Sequence, residues 1–297
     1  MEIWNQWCLT KRSGPKHTIM ELPLISIVTP SFNQAQFLDQ TIRSVLDQNY
    51  SRLEYVIMDG GSTDGSVEII KRYANRLTYW VSRKDRGQSD AINQGFTRCT
   101  GEIFAWLNSD DYLMPGALAA VAESFARHPE AGAWVGDCQF VTPLTGEREL
   151  LESKVLDLDT LGARWQEVFF GQPSCFFSGR AWKECGPLDE NLHFSMDLDL
   201  WLKMLKRFDF VRVPSLLSSA TLHADAKTVA QNHYQVAQGW LVRAKHGFSE
   251  PVEKEMVQMI IKAKADAARV CSLTRTPIYR LARPILKMFG VVGRFEK

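Results

Sequence analysis

Five consecutive apolar residues, Ile103-Phe104-Ala105-Trp106-Leu107, run directly into Asn108-Ser109-Asp110-Asp111-Tyr112. The run reads as a strand buried on both faces. Charged groups beside such a strand are costly unless something pairs with them. At the carboxyl end of a parallel strand in an open α/β sheet, that partner is commonly a ligand. Two adjacent carboxylates and an amide oxygen are hard donors, suited to Mg²⁺ or Mn²⁺ carrying a diphosphate. The plainer alternative is an acidic turn that caps the next helix, with Pro115 as its first helical residue.

Other residues capable of chemistry fall in equivalent places. Pro30 and Ser31 close the apolar run 24–29, and Asp59-Gly60-Gly61-Ser62-Thr63-Asp64 closes the run 53–58. Asp90 and Asn93 follow a shorter run at 77–81. Between these runs, Phe37, Leu38, Thr41, Ile42, Val45 and Leu46 recur at helical spacing and predict a helix over about 35–48. Further helices are expected over about 65–74 and 89–98. Strands alternating with helices predict a parallel sheet with covering helices. The strand-to-helix turns of such a sheet share one edge, so residues far apart in sequence converge there.

Beyond the acidic turn, Leu118, Val121, Ala122 and Phe125 mark another amphipathic helix. Residues 133–141 and 147–151 read as strands joined in a hairpin through 143–146. A strand at 174–177 and a helix at 180–185 ended by Gly186-Pro187 follow. Leu198, Trp201, Leu202 and Leu205 then stripe a helix that begins near Met196-Asp197, and 211–217 is extended before His223. From Thr228 the chain reads as two helices separated by Gly247, forming a hairpin on the body or a dimer contact. The expected divisions are an N-terminal extension (1–22), a sheet domain (23–226) and a helical region (227–297).

Composition excludes several classes. With 45% hydrophobic and 23% charged residues and a net charge of +1 over 297 residues, the chain is globular and lacks an electrostatic footprint for nucleic acid. Its six cysteines are scattered without a CxxC pair, as in a reduced cytosolic protein. No apolar run is long enough for a membrane span. Residues 11–17 are polar and basic where a signal peptide has an apolar core. A cytoplasmic protein is expected.

Five segments together resemble the family-2 glycosyltransferases. They are Pro-Leu-Ile-Ser-Ile-Val-Thr-Pro-Ser-Phe-Asn (23–33), Met-Asp-Gly-Gly-Ser-Thr-Asp-Gly (58–65), Gly-Gln-Ser-Asp-Ala-Ile-Asn-Gln-Gly (87–95), Trp-Leu-Asn-Ser-Asp-Asp (106–111) and Met-Asp-Leu-Asp-Leu-Trp-Leu (196–202). The resemblance covers 23 to about 225. It implies an α/β GT-A fold with a Rossmann-like mixed sheet, a nucleotide-sugar donor (UDP- or TDP-linked), Mn²⁺ or Mg²⁺, and inversion at the anomeric carbon. It also implies a glycan or lipid-linked acceptor, as in bacterial surface-polysaccharide (O-antigen) assembly.

The resemblance further implies roles. Thr29, Pro30 and Ser31 meet the nucleotide, with Asn33 close behind. Asp59 hydrogen-bonds the base, a chemically sensible partner for the imide N–H of uracil or thymine; turn chemistry and capping are the alternative for Asp59 and Asp64. Asp90 and Asn93 face the diphosphate and sugar. Asn108 takes the first acidic place of an Asp-x-Asp motif and Asp110 the second. The uncharged Asn108 is suited to a ribose hydroxyl, which leaves Asp110 as the principal metal ligand. Asp111 supports it or faces the acceptor, and His223 matches a histidine that completes the metal shell in some relatives. Asp197 is the catalytic base, with Asp199 its competitor. The family commonly has Glu-Asp where this chain has Met196-Asp197, which removes one cause of a raised base pKa.

Gln172 and the residues after it, through 177, are expected to line the acceptor cleft. Trp165, Phe169, Phe170 and Trp182 either stack on sugars there or belong to the core. The carboxyl-terminal tail carries Arg275, Arg280, Arg283, Lys287, Arg294 and Lys297 against Glu296 alone. A basic amphipathic segment of this kind suggests peripheral contact with a membrane, worth at most about 5 kcal/mol. Two other functions compete. A nucleotidyltransferase would open with a Gly-rich, Arg/Lys-bearing loop where Pro30-Ser31-Phe32-Asn33-Gln34 stands. A catalytically degenerate binding module has only Asn108 and Met196 in its favour.

Overall fold

The computed structural model describes residues 21–154, 157–163, 170–223, 226 and 232–274. In chain order the first half comprises β1 (Ile25–Ser31), α1 (Ala35–Leu46), β2 (Leu53–Asp59), α2 (Ser66–Tyr73), β3 (Tyr79–Ser82), α3 (Gln88–Phe96) and β4 (Ile103–Trp106). Then come β5 (Tyr112–Leu113), α4 (Ala117–Arg127), β6 (Ala133–Thr142), β7 (Glu147–Leu151), α5 (Leu158–Ala163), β8 (Cys175–Ser178), α6 (Gly179–Cys185), α7 (Met196–Leu205) and β9 (Phe210–Thr221). Two helices follow, α8 (Asn232–Lys245) and α9 (Ser249–Thr274).

The strands form one mixed sheet in the order β3-β2-β1-β4-β8-β6-β9-β5, with β7 paired to β6. The first four run parallel, as their alternation with helices predicts. β8 is antiparallel to both β4 and β6, and β9 is parallel to β6. All seven residues of β1 are buried, because helices cover both faces of the sheet. Ile25 and Ile27 pack with Leu38, Ile42 and Val45 of α1 on one face, while Val28 packs with Ala91, Ile92 and Phe96 of α3 on the other. Period-two alternation thus divides one strand between two cores. At Gly95 a Cβ would lie 2.5 Å from Val28 Cγ1, so glycine lets α3 press directly on β1. Trp106 of β4 stacks on Trp201 of α7, with ring centroids 5.4 Å apart and planes 10° apart, which seats α7 against the sheet.

Three local features depart from expectation. The helix after the acidic turn starts at Ala117 behind Gly116 (φ 82°), not at Pro115. Residues 112–113 form a short strand against β9, too brief to leave a periodic signal. β9 runs past 217 to Thr221, absorbing Pro214 at a register shift against β6; proline cannot donate to the ladder and is tolerated at a bulge. The expected hairpin at 133–151 is present, and Gly247 (φ 104°) separates α8 from α9.

α8 and α9 form a helical pair against α5 and α7. Arg243 of α8, fully buried, donates to Gly162 O and Ala163 O at the end of α5 and pairs with Glu255 of α9 at 2.7 Å. No helix among the described residues is long and apolar enough to cross a membrane. Trp165, Phe169 and the tail from Arg275 lie outside the described residues, as does the extension before residue 21.

Candidate active site

The carboxyl ends of β1, β2, β3 and β4 open on one edge of the sheet, and a cleft of about 1060 Å³ lies along it. Its wall takes Pro30 and Ser31 from β1, Gly60 from the turn after β2, Lys84 and Asp85 from the turn after β3, and the whole segment 108–111. The cleft is also lined by Phe170 to Pro173, by Met196 to Leu198 at the start of α7, and by Thr221 at the end of β9. Residues separated by nearly two hundred positions therefore share one cavity.

Asp110 sits on this wall with its Oδ2 3.1 Å from His223 Nε2. β9 delivers the histidine: Thr221 N donates to Asp111 Oδ1 at 3.1 Å, which pins the strand end to the acidic turn. Thr41 Oγ1 donates to the carbonyls of Ser109 and Asp111 and fixes the turn from below. A carboxylate oxygen and an imidazole nitrogen so placed are donors that would suit a divalent cation. Among the described residues no third His, Cys, Asp or Glu completes a cluster, so a diphosphate and water would supply the rest of the shell.

Asn108 and Asp111 line the cleft and also hold the acidic turn together. Asn108 Oδ1 accepts from Gln88 Nε2 (2.7 Å), while its Nδ2 donates to Asp111 Oδ2 and Gln172 Oε1, both at 3.2 Å. Gln172 Nε2 donates in turn to Trp106 O at 3.0 Å. Asp111 is 6% exposed and both of its oxygens are engaged, so it braces the turn. Burial, reinforced by the neighbouring Asp110 carboxylate, pushes its carboxyl well above the usual range.

Asp197 lies in the first turn of α7 and lines the same cleft as the acidic turn. Burial among apolar neighbours pushes its carboxyl up to about 6, against partial relief from the Leu198 N–H at 2.8 Å. The missing neighbour at Met196 is thus compensated by desolvation, which disfavours the charged form without a second carboxylate. Asp199 points elsewhere. It is 1% exposed, pairs with Lys203 at 2.6 Å and accepts from His246 Nε2 at 2.9 Å. Burial would raise its carboxyl, but those hydrogen bonds and the two lysines hold it below the usual range. Asp199 docks the C-terminal helices.

Several residues expected at the donor are not among those lining the cleft. Thr29 is fully buried, with its hydroxyl 3.0 Å from Tyr55 Oη inside the sheet. Asn33 accepts from Thr63 N and ties two loops together. Asp59 is 2% exposed, and its carboxylate accepts from Gly61 N, Ser62 N, Ser62 Oγ and Ser82 Oγ. A carboxylate so saturated organises its own turn. Asp64 likewise caps, accepting from Ala35 N and Ser66 N at the starts of α1 and α2. Asp90 holds Arg86 through N and Nη2. The amide of Asn93 exchanges two hydrogen bonds with the backbone of Leu188, at 2.9 and 3.0 Å, and so clamps the loop before α7. Trp182 packs on Phe96 in the core. Pro30 and Ser31 do line the cleft. Ser31 Oγ and Gln34 Oε1 are buried in or beside its wall without a partner among the described residues.

Sequence reasoning missed Phe32, Gly60, Lys84 and Asp85 at the same end of the cleft. The rule that exposed the acidic turn, polar residues after a parallel strand, also covers Lys84 and Asp85 after β3.

Residues 26–182 match the model of glycosyl transferase family 2. The chain belongs to this family. It is 26% identical over 242 residues to a chondroitin synthase of Escherichia coli, covering 76% of this chain and 34% of that protein. It is 24% identical over 269 residues to an uncharacterized glycosyltransferase of Rickettsia felis, covering 84% and 42%. The chain thus spans well under half the length of these curated relatives. Among solved structures, it resembles residues 1–349 of S. aureus TarS in complex with UDP-GlcNAc (TM-score 0.58, 16% identity, 73% of this chain and 65% of that one). It also resembles a mannosyltransferase of Pyrobaculum calidifontis in complex with GDP-Man and Mn²⁺ (TM-score 0.59, 16% identity, 88% and 83%). The shared architecture is the GT-A fold.

Proposed function

We propose that this protein transfers a sugar from a nucleotide-sugar to a hydroxyl of a glycan or lipid-linked acceptor, with inversion at the anomeric carbon. The observation that carries the proposal is a single cleft lined by both Asp110, whose carboxylate meets His223 at 3.1 Å, and the desolvated Asp197. Asp197 takes the proton of the acceptor hydroxyl, which attacks the anomeric carbon from the face opposite the diphosphate. A carboxyl poised near 6 is ionised at neutral pH yet basic enough to share a proton in the transition state. Ser31 and Gln34 bind the donor from the β1 side, and the Gln88–Asn108–Gln172 amides fix the floor between donor and acceptor. Asp110 and His223 would hold a Mn²⁺ or Mg²⁺ ion, which would supply positive charge beside the leaving nucleoside diphosphate. Phe170, Phe194 and Gln172 form the acceptor side of the cleft.

A lipid-linked acceptor is in keeping with the exposed apolar side chains of α9, Met256, Val257, Met259, Ile260 and Ile261, and with the basic tail that follows. Incubation with UDP-, TDP- and GDP-sugars and Mn²⁺ tests the reading through release of nucleoside diphosphate. Release that depends on Mn²⁺ and on Asp197 supports it. Donor binding without any release, with or without acceptor, favours the degenerate binding module instead.

A further inference from the structure

The helix α9 leaves the body of the protein soon after it begins. Val252 is buried and Glu255 pairs with Arg243 of α8, but every side chain from Met256 to Arg269 is exposed. Met256, Val257, Ile260 and Ile261 are each between 41 and 54% exposed. Their spacing places them on one stripe, on the side of the helix turned away from Val252 and Glu255. A helix without a packed face is marginal in water, because helices in proteins are held chiefly by burying an apolar side. The charges along the stripe are sorted. Glu253 lies one turn before Val257 and Lys264 one turn after Ile260, and neither makes an ion pair among the described residues. Other charges of α9 are spent within it, Glu250 on Lys254 at 2.7 Å and Asp266 on Arg269 at 3.8 Å.

We infer that α9 pairs with α9 of a second copy of this chain, antiparallel about a two-fold axis, with Val257 level with Ile260 of the second copy and Glu253 level with its Lys264. Glu253, Val257, Ile260 and Lys264 are spaced four, three and four residues apart, the alternation of a coiled-coil seam. Met256 and Ile261 flank that seam, one on each side. In an antiparallel pair, moving one residue forward on one helix moves one residue back on the other. Setting Val257 against Ile260 therefore sets Glu253 against Lys264, so one register satisfies the apolar and the ionic contacts together. The two-fold axis makes each contact twice. A parallel pair would instead stack Glu253 on Glu253 and Lys264 on Lys264. An anionic bilayer fits the stripe less well, because Glu253 would face it beside Val257. A lipid-linked acceptor is then favoured by the basic tail alone.

The test uses the register. Sedimentation velocity of the full chain over a micromolar concentration series should show a monomer–dimer equilibrium. Glu253→Lys and Lys264→Glu should each weaken the dimer about tenfold, because both attractive pairs become repulsive. The double variant E253K/K264E restores opposite charges at the same level and should return to within about threefold of the wild type. Ile260→Ser should weaken the dimer by removing an apolar contact on each side of the axis. A wild type that stays monomeric throughout, a dimer indifferent to both charge reversals, or a double variant no better than the single ones overturns the inference. Binding of a monomer to vesicles of anionic phospholipid, lost in Ile260→Ser, assigns the stripe to a bilayer and overturns it equally. Release of nucleoside diphosphate from the donor is a separate readout, so the transferase reading stands or falls independently.

Discussion

Replacing Asp197 by asparagine should yield a protein that is more stable than wild type at neutral pH and almost inactive. The Asp197 carboxyl is raised from 3.8 to about 6 by burial. A carboxyl whose folded pKa exceeds its unfolded value holds its proton more tightly in the folded state. Its ionisation therefore costs nothing well below pH 4, and the cost grows as pH rises through the interval from 3.8 to about 6. With about 1.4 kcal/mol per unit, the penalty is about 1 kcal/mol near pH 4.5 and about 3 kcal/mol above pH 7. The larger figure is an upper one, because water in the cleft screens a partly open group. Asparagine escapes the penalty. Urea denaturation should show the variant gaining up to about 2 kcal/mol over wild type between about pH 4.5 and about pH 7.5. Turnover should fall about 10²–10⁴-fold with donor affinity kept, and the wild-type kcat/KM should rise with pH through about 6. Equal stability differences at the two pH values would refute the desolvation argument. Wild-type turnover in the variant would remove Asp197 from the mechanism.

Other outcomes follow from the same geometry. Asp110→Ala and His223→Ala should each abolish the gain in UDP affinity that Mn²⁺ confers, seen by titration with and without the metal; an undiminished gain in both variants places the ion elsewhere. Asn93→Ala should cost about 1–3 kcal/mol in urea denaturation by stripping two hydrogen bonds from Leu188, while donor KM stays within about twofold. A large KM effect with normal stability would return Asn93 to the donor. Glu255→Ala should cost about 3–5 kcal/mol, because it leaves the Arg243 guanidinium buried without its carboxylate. Denaturation midpoints unchanged by that substitution would mean that α9 contributes little to the fold.

The alternation of strands and helices was legible because burial imposes a period on each element. Continuous apolar runs at β1, β2 and β4 and 3.6-residue stripes on α1 and α7 need no knowledge of the tertiary structure. The polar residues at strand ends were legible for the same reason, since an abrupt change from apolar to acidic sequence is costly without a partner. The two-residue β5 and the continuation of β9 past Pro214 were not, because pairing partners rather than local pattern created them. Asp59, Asn93 and Asp111 looked like ligand residues by type and position. In the structure backbone N–H groups take up their oxygens, from the next turn for Asp59 and from distant segments for Asn93 and Asp111.

By itself the sequence determined which strand ends carry polar groups, and therefore which edge of the sheet holds the cleft, since parallel βα units put those turns on one side. Through the family resemblance it also pointed to Asp110 and Asp197, to which the roles of metal ligand and base are assigned in the proposed function. Only the tertiary structure decided which oxygens remain free. Asp59 and Asp85 are chemically the same group a short distance apart in the chain. Hydrogen bonds from Gly61, Ser62 and Ser82 occupy the first, and the missing side chain at Gly60 makes room for the second. Occupancy of a lone pair is settled by three-dimensional neighbours, and residue identity alone carries no record of it.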